Sequence, residues 1–221
     1  MRILKFTRKI AKRLAIPLAR YSAAGQASGD NHLLNDFLAH AAKLPAPRVL
    51  ELGTRRLYEN VKTKHDEWVP HAAQFLGTDI AEGTDVDIIA DVHKLSDAVG
   101  CEQFDIIISC SSFEHFKYPQ LAAHEIMKVL KVGGLLFIQT HQAYPVHGAP
   151  YDYFRFSREA LAGLFGTKMG FRVIETDYEF PASINSPDVA SIAAEPAFVN
   201  SRLLGEKTGK TPAEYIYEYD V

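Results

Sequence analysis

Carboxylates and imidazoles stand where short apolar runs of this chain end. RVLEL (48–52) finishes in Glu51-Leu52-Gly53 and leads into Thr54-Arg55-Arg56, QFLGTDI (74–80) finishes in Asp79-Ile80, and VDIIAD (86–91) finishes in Asp91, followed by Val92 and His93. FDIIISC (104–110) brings Ser109 and Cys110 and runs on into Ser111-Ser112-Phe113-Glu114-His115. A carboxylate is costly to bury at an apolar strand end unless it binds something, and Asp79 is placed to accept hydrogen bonds from ribose hydroxyls. For any one acid the competing reading is a cap on the next helix; their joint placement favours a ligand. His115, His141 and His147 add bases able to take a hydroxyl proton near neutral pH. His115 and His141 are the catalytic candidates.

The elements that position these groups alternate along the chain. Leu33, Leu34, Phe37, Leu38 and Ala41 share one helical face, opened by a cap at Asp30 or Asn31, and PQLAAHEIMKVLK (119–131) and SREALAGLFGTKM (157–169) are two further helices. GLLFIQT (134–140) and FRVIETDYEF (171–180) are strands, and an antiparallel edge strand is expected near 197–204. Strands alternating with helices at this spacing predict an α/β, doubly wound, mostly parallel sheet covered on both faces. Ligands of such sheets bind outside the carboxyl ends of the strands.

With 47% apolar and 23% charged residues in 221, the chain is long enough to bury a core and is neither disordered nor collagenous. Two cysteines, Cys101 and Cys110, exclude a disulfide framework and fit a reducing, cytoplasmic setting. The net charge of −3 hides an asymmetry: residues 1–20 hold seven bases and no acid, which leaves 17 of the 24 basic residues against all 27 acids. An acidic body disfavours nucleic acid as a partner. Ile3, Phe6, Ile10, Leu14 and Leu18 align opposite those bases, giving residues 1–24 the pattern of a cationic amphipathic helix and linker ahead of a domain over 25–221. Three readings of that helix stay open: contact with an anionic membrane face from the cytoplasmic side, plain packing on the domain, and targeting.

In order and spacing these segments resemble the class I S-adenosylmethionine-dependent methyltransferases, in their small-molecule and glycan-modifying branch (methyltransferase type 11-like), over roughly residues 46–180. VLELG (49–53) is similar to the glycine-bearing turn under the methionine part of the cofactor, GTDI (77–80) to the second-strand acid that holds the ribose diol, and ADVHKL (90–95) to the segment that meets adenine. FDIIISCSSFEHF (104–116) resembles the fourth-strand motif beside the transferring methyl, and LKVGGLLFIQT (130–140) the helix, turn and fifth strand that follow. The resemblance implies a seven-stranded Rossmann-like sheet, S-adenosylmethionine as cofactor, and Glu51, Gly53, Thr54, Asp79, Ile80, Asp91, Val92 and Ser109 as its contacts. The family's first motif usually continues with further glycines, where this chain has Thr54-Arg55-Arg56. Either Arg55 or Arg56 serves the cofactor carboxylate or an anionic substrate, or the protein is a non-catalytic relative that binds a partner or saccharide.

Residues 141–156, HQAYPVHGAPYDYFRF, leave a strand's carboxyl end, are dense in aromatic and polar groups, and are kept irregular by Pro and Gly, so they are expected to overhang the cofactor as a lid. This stretch resembles a His-x-x-Pro-x-Asp-Tyr-x-Arg-Phe segment of methyltransferase-like proteins of bacterial surface-polysaccharide assembly. With Arg55, it supplies the candidate substrate contacts: His147, Tyr151, Asp152, Tyr153 and Arg155. The competing reading has Tyr151, Tyr153 and Phe156 packing the lid while Asp152 and Arg155 pair with each other. No metal site is expected, since KHDEWVPH (64–71) with His65, Glu67 and His71 lacks an H-E-x-x-H or paired His/Cys pattern. Lys62, Lys64 and His65 are read as a solvated run able to face an anionic group on a substrate.

Overall fold

The structure is a computed structural model that describes residues 31–214; the expected basic helix and the aromatic tail at 215–221 lie outside the described residues. In chain order the elements are α1 (His32–Ala41), β1 (Arg48–Leu52), β2 (Gln74–Asp79), β3 (Ile88–Ile89), α2 (Leu95–Val99), β4 (Phe104–Cys110), α3 (Pro119–Val129), β5 (Leu130–His141), α4 (Arg158–Gly163), β6 (Phe171–Ala182) and β7 (Ala197–Lys207). One seven-stranded sheet joins the strands in the order β3-β2-β1-β4-β5-β7-β6. All pairs from β3 to β5 are parallel, and β7 pairs antiparallel with both β5 and β6.

Period-two alternation splits the strand residues between two cores. Val49, Ile106, Ile108, Phe137 and Leu204 meet Leu33, Phe37 and Ala41 of α1 on one face. Leu50, Leu52, Ile107, Leu136, Ile138 and Leu203 meet Ile126 and Met127 of α3 and Leu161 of α4 on the other. Two-sided burial is why these strands read as nearly unbroken apolar runs. Strand order reverses between β1 and β4, where Leu52 lies level with Thr78 on one side and Ser109 on the other. The carboxyl ends that carry the candidate residues are thus drawn into one row.

Two expectations need correction. The strand near 197–204 is antiparallel but is not at the edge; β7 lies between β5 and β6. Its polar residues suggested solvent, yet Asn200, Ser201 and Arg202 are buried and satisfied within the protein. Arg202 bonds Asp177 through Nε (2.8 Å) and Nη2 (2.6 Å) and Glu179 through Nη1 (2.8 Å), while Ser201 Oγ donates to Phe156 O at 2.8 Å. Among the described residues no α-helix connects β1 to β2; a short 3-10 turn at Asp66–Trp68 sends Trp68 onto Phe37, ring centroids 6.3 Å apart. The segment offers no apolar stripe of helical period, and Leu57, Tyr58 and Val61 stay exposed. The second correction concerns α1: its N-cap is Asn31, one of the two expected positions, but the side chain makes no capping hydrogen bond. Among the described residues no helix is long and apolar enough to cross a membrane.

Candidate active site

The turn after β1 is built around Gly53, whose φ of +75° is a region that side chains rarely adopt. A Cβ there would lie 2.0 Å from Ser112 Oγ and 2.7 Å from Ser112 Cβ, so only glycine lets the β1 and β4 ends close together. Ser112 Oγ sits 3.2 Å from Leu52 O and 3.0 Å from Cys110 O, tying the switch point shut from the β4 side. Glu51 is buried, with both carboxylate oxygens held by His65, Nδ1 at 2.5 Å and backbone N at 2.8 Å. Burial works against charging His65, but the Glu51 hydrogen bond prevails and holds the imidazole above its ordinary value. Glu51 therefore anchors the loop that follows β1 and turns no oxygen to the cleft. Thr54 is also buried, and its hydroxyl donates to Asp85 O at 2.7 Å.

Asp79 stands at the β2 end with its carboxylate accepting Ala81 N at 3.1 Å and, at 3.4 Å, Arg55 N. Lone pairs remain for a diol, and Ile80 beside it is 71% exposed, an apolar face on offer to a flat ring. Arg55 lies across this acid, Nε 3.7 Å from Asp79 Oδ1, and that buried Nε has no hydrogen-bond partner among the described residues. A buried cationic donor without an acceptor suits a carboxylate, so Gly53, Arg55, Asp79 and Ile80 fit an aminoacyl-nucleoside such as S-adenosylmethionine. Asp91 takes the capping role that sequence reading weighed against ligand binding: its Oδ1 accepts His93 N (2.9 Å) and His93 Nδ1 (2.7 Å). Val92 packs its side chain on the core, leaving its backbone to serve a ligand. Ser109 is fully buried with its hydroxyl unpartnered among the described residues, and brings no exposed group to the cleft. Arg56 pairs with Asp85 (2.8 Å), Lys62 with Asp66 and Glu67, and Lys64 with Asp87 at 2.5 Å, so none of the three stands as the unpaired anion site that was weighed.

Beyond β5 the segment 141–156 folds back over the end of β4. Tyr153 N and Phe154 N donate to Glu114 O at 2.9 and 3.1 Å, and Phe156 N donates to His141 O at 2.9 Å. Asp152 and Arg155 pair side by side, at 2.5 and 2.8 Å, as in the competing reading; the guanidinium holds the Asp152 carboxyl well below the usual carboxylate range. Asp152 also accepts His147 N at 2.9 Å, and Arg155 donates to Tyr144 O and Pro145 O, so the pair ties the lid together. Phe156 packs in the core, yet Tyr151 and Tyr153 remain exposed, at 64% and 39%, with their rings open to an acceptor. The lid's outer surface holds a depression of about 290 Å³ lined by Tyr144, Val146 and Tyr153 among others.

Under the lid the structure brings together a group that sequence reading only half found. His141 is stacked on Tyr144 at 4.1 Å and lies 3.1 Å from Glu114 Oε1, with His147 and His115 on the same oxygen at 3.8 and 3.9 Å. Burial pushes the His141 imidazole down. Glu114, wholly buried at the centre, was not among the predicted site residues. Its signal was available: an acid directly before His115, past the end of an apolar strand, has no other reason to be turned inward.

Residues 65–138 match the family model described as a methyltransferase domain. Solved structures share the fold across most of the chain at low identity. They include a Mesorhizobium loti S-adenosylmethionine-dependent methyltransferase (TM-score 0.51, 15% identity, 78% of this chain and 99% of that one). A Burkholderia thailandensis 1,6-didemethyltoxoflavin-N1-methyltransferase, with its substrate and S-adenosylhomocysteine bound, gives 0.55, 13%, 83% and 80%. An Archaeoglobus fulgidus S-adenosylmethionine-dependent methyltransferase gives 0.53, 14%, 81% and 95%. Among curated proteins none matches the sequence. The fold is thus the one that S-adenosylmethionine-dependent methyltransferases share, and the stretch from β2 into β5 lies within the segment that matches their domain model.

Proposed function

We propose that this protein is an S-adenosylmethionine-dependent methyltransferase that acts on a hydroxyl of a small polyhydroxylated acceptor, a sugar or glycan, in surface-polysaccharide assembly, and that residues 1–20 hold it against the cytoplasmic side of an anionic membrane. The observation that carries the acceptor reading is the lid: exposed Tyr151 and Tyr153 rings beside a floor of imidazoles and a buried carboxylate suit alternating apolar and hydroxyl faces of a sugar. The membrane reading is supported by the seven bases and aligned apolar residues of segment 1–20.

The cofactor, when bound, supplies a methyl group on a sulfonium with a good leaving group. What the chain must do is hold both reactants in line and receive a proton. Asp79 accepts from the ribose hydroxyls, Ile80 covers the base, Arg55 meets the carboxylate, and Gly53 keeps the turn low enough for close approach. The lid shields the β4 end from water, with Asp152–Arg155 as its internal brace. The acceptor hydroxyl gives up its proton to the His141–Glu114 pair, with His115 as the neighbouring base.

Incubation of the full-length protein with methyl-tritiated cofactor and a panel of sugars, nucleotide sugars and lipid-linked saccharides tests this. Label in a saccharide is expected. Label confined to nitrogen heterocycles, protein or nucleic acid overturns the acceptor class, and binding without transfer to any acceptor favours the non-catalytic reading.

A further inference from the structure

Glu114 and its three histidines have a geometry that hydrogen bonding leaves unresolved. Glu114 Oε2 accepts the Thr140 hydroxyl at 2.6 Å, but the buried Oε1 has no hydrogen-bond donor among the described residues. Three Nε2 atoms face it, from His141 (3.1 Å), His147 (3.8 Å) and His115 (3.9 Å). In each ring the other nitrogen is already committed as a donor. His115 Nδ1 donates to Tyr151 O at 2.8 Å, and His147 Nδ1 to Pro145 O at 3.2 Å with Asp152 Oδ2 at 3.5 Å. Carbonyls and an ionised carboxylate only accept. His141 Nδ1 meets Asn200 Oδ1 at 3.0 Å, and that amide's orientation is set because its Nδ2 donates to Glu179 Oε2 at 3.0 Å. As neutral rings, all three histidines turn an Nε2 lone pair toward a carboxylate lone pair.

A single proton would satisfy one of these contacts, and a cation satisfies those of His141 and His147 together. Ligand atoms at about 2.0–2.1 Å from a tetrahedral zinc ion stand about 3.3 Å apart; His141 Nε2 is at 3.1 Å from the Glu114 oxygen, and His147 Nε2, at 3.8 Å on the lid, would draw in by about 0.5 Å. Imidazoles whose far nitrogen donates to a carbonyl or carboxylate are the usual supporting shell of metal ligands. Tyr144 fixes the His141 ring, and Gly148, at φ +63°, gives His115 its place, since a Cβ there would lie 2.9 Å from His115 Cε1.

We propose that Glu114, His141 and His147, whose candidate ligand atoms lie within 4.8 Å of one another, bind one borderline divalent cation of the zinc class. Imidazole nitrogens with a single carboxylate oxygen select such an ion over magnesium or calcium, which need oxygen-rich shells. The ligands come from the end of β4, the end of β5 and the lid, so the ion fastens the lid to the sheet. The inference revises one step of the methyl-transfer reading, since an ion on His141 Nε2 leaves the proton to His115, and because its test contains no cofactor the two readings fail separately.

Untagged full-length protein, stripped with chelator, is titrated with Zn²⁺ against an indicator dye and separately with Co²⁺ followed by visible absorption. One equivalent bound, Co²⁺ bands of low-symmetry coordination, and slower proteolysis within 141–156 are expected. His147→Gln, on the partly exposed lid and so the safer variant for folding, is expected to weaken Zn²⁺ binding by about a hundredfold or more, given that loss of a supporting partner alone costs about 10–100-fold; Glu114→Gln abolishes the Co²⁺ bands. Wild-type protein that is folded by circular dichroism but shows neither Zn²⁺ competition nor Co²⁺ bands overturns the site. So does binding that His147→Gln leaves unchanged.

Discussion

Replacing Gly53 by Ala tests whether the cofactor turn is held by the geometry described. Two separable costs arise: a side chain in the left-handed region, about 1–2 kcal/mol, and overpacking against Ser112, about 1–3 kcal/mol. Together they give about 2–5 kcal/mol, and at roughly 2–4 °C per kcal/mol for a domain of this size the melting temperature falls by about 4–20 °C. Ser112→Gly removes the two atoms that the new Cβ would strike, leaving Cα 3.9 Å away. The double variant therefore regains the overpacking part while keeping the backbone cost. A double-mutant cycle by urea unfolding should show about 1–3 kcal/mol of favourable coupling. Additivity within about 0.5 kcal/mol, the behaviour of independent sites, would refute the claim that Gly53 exists to let β1 and β4 close.

Arg202→Met leaves Asp177 and Glu179 buried without their cation and should cost about 3–5 kcal/mol in urea unfolding; a loss under 1 kcal/mol would mean the cluster is not sealed. Because His65 is raised above its ordinary value near 6.5, it binds its proton more tightly folded than unfolded. That stability is fully present below about pH 6.5 and is lost as pH rises through the raised value, so melting followed from pH 6 upward should show a decline that Glu51→Gln flattens, and a wild-type curve rising over that range would contradict it. Arg55→Gln should weaken S-adenosylhomocysteine binding by about tenfold, or 1.4 kcal/mol, yet leave adenosine affinity alone. Equal losses for both ligands would show that Arg55 supports Asp79 and not the carboxylate.

How much of this was legible differs by level, for physical reasons. The parallel core was readable because Val49 to Leu52 and Ile106 to Ile108 are buried on both faces, and such strands are continuous in apolar residues. The position of β7 was not, since Asn200 and Arg202 look solvent-seeking until Asp177 and Glu179 of β6 and His141 of β5 are seen beside them. Asp79 and Gly53 could be found from local spacing. Asp91, Thr54 and Ser109 illustrate the limit: a strand-terminal polar residue that caps a turn or sits in the sheet has the same local pattern as one that meets a ligand. The cluster on Glu114 required the fold, because its members are brought together from β4, β5 and the lid, up to 33 positions apart.

Calorimetric titration of the full-length protein with S-adenosylmethionine and S-adenosylhomocysteine, run beside Asp79→Ala, bears most directly on the function proposed. Micromolar binding of both, weakened at least about tenfold by the substitution, is the expected result, since Asp79 keeps lone pairs for the ribose at the end of β2. No heat and no thermal shift at millimolar cofactor, with the protein folded, would contradict it.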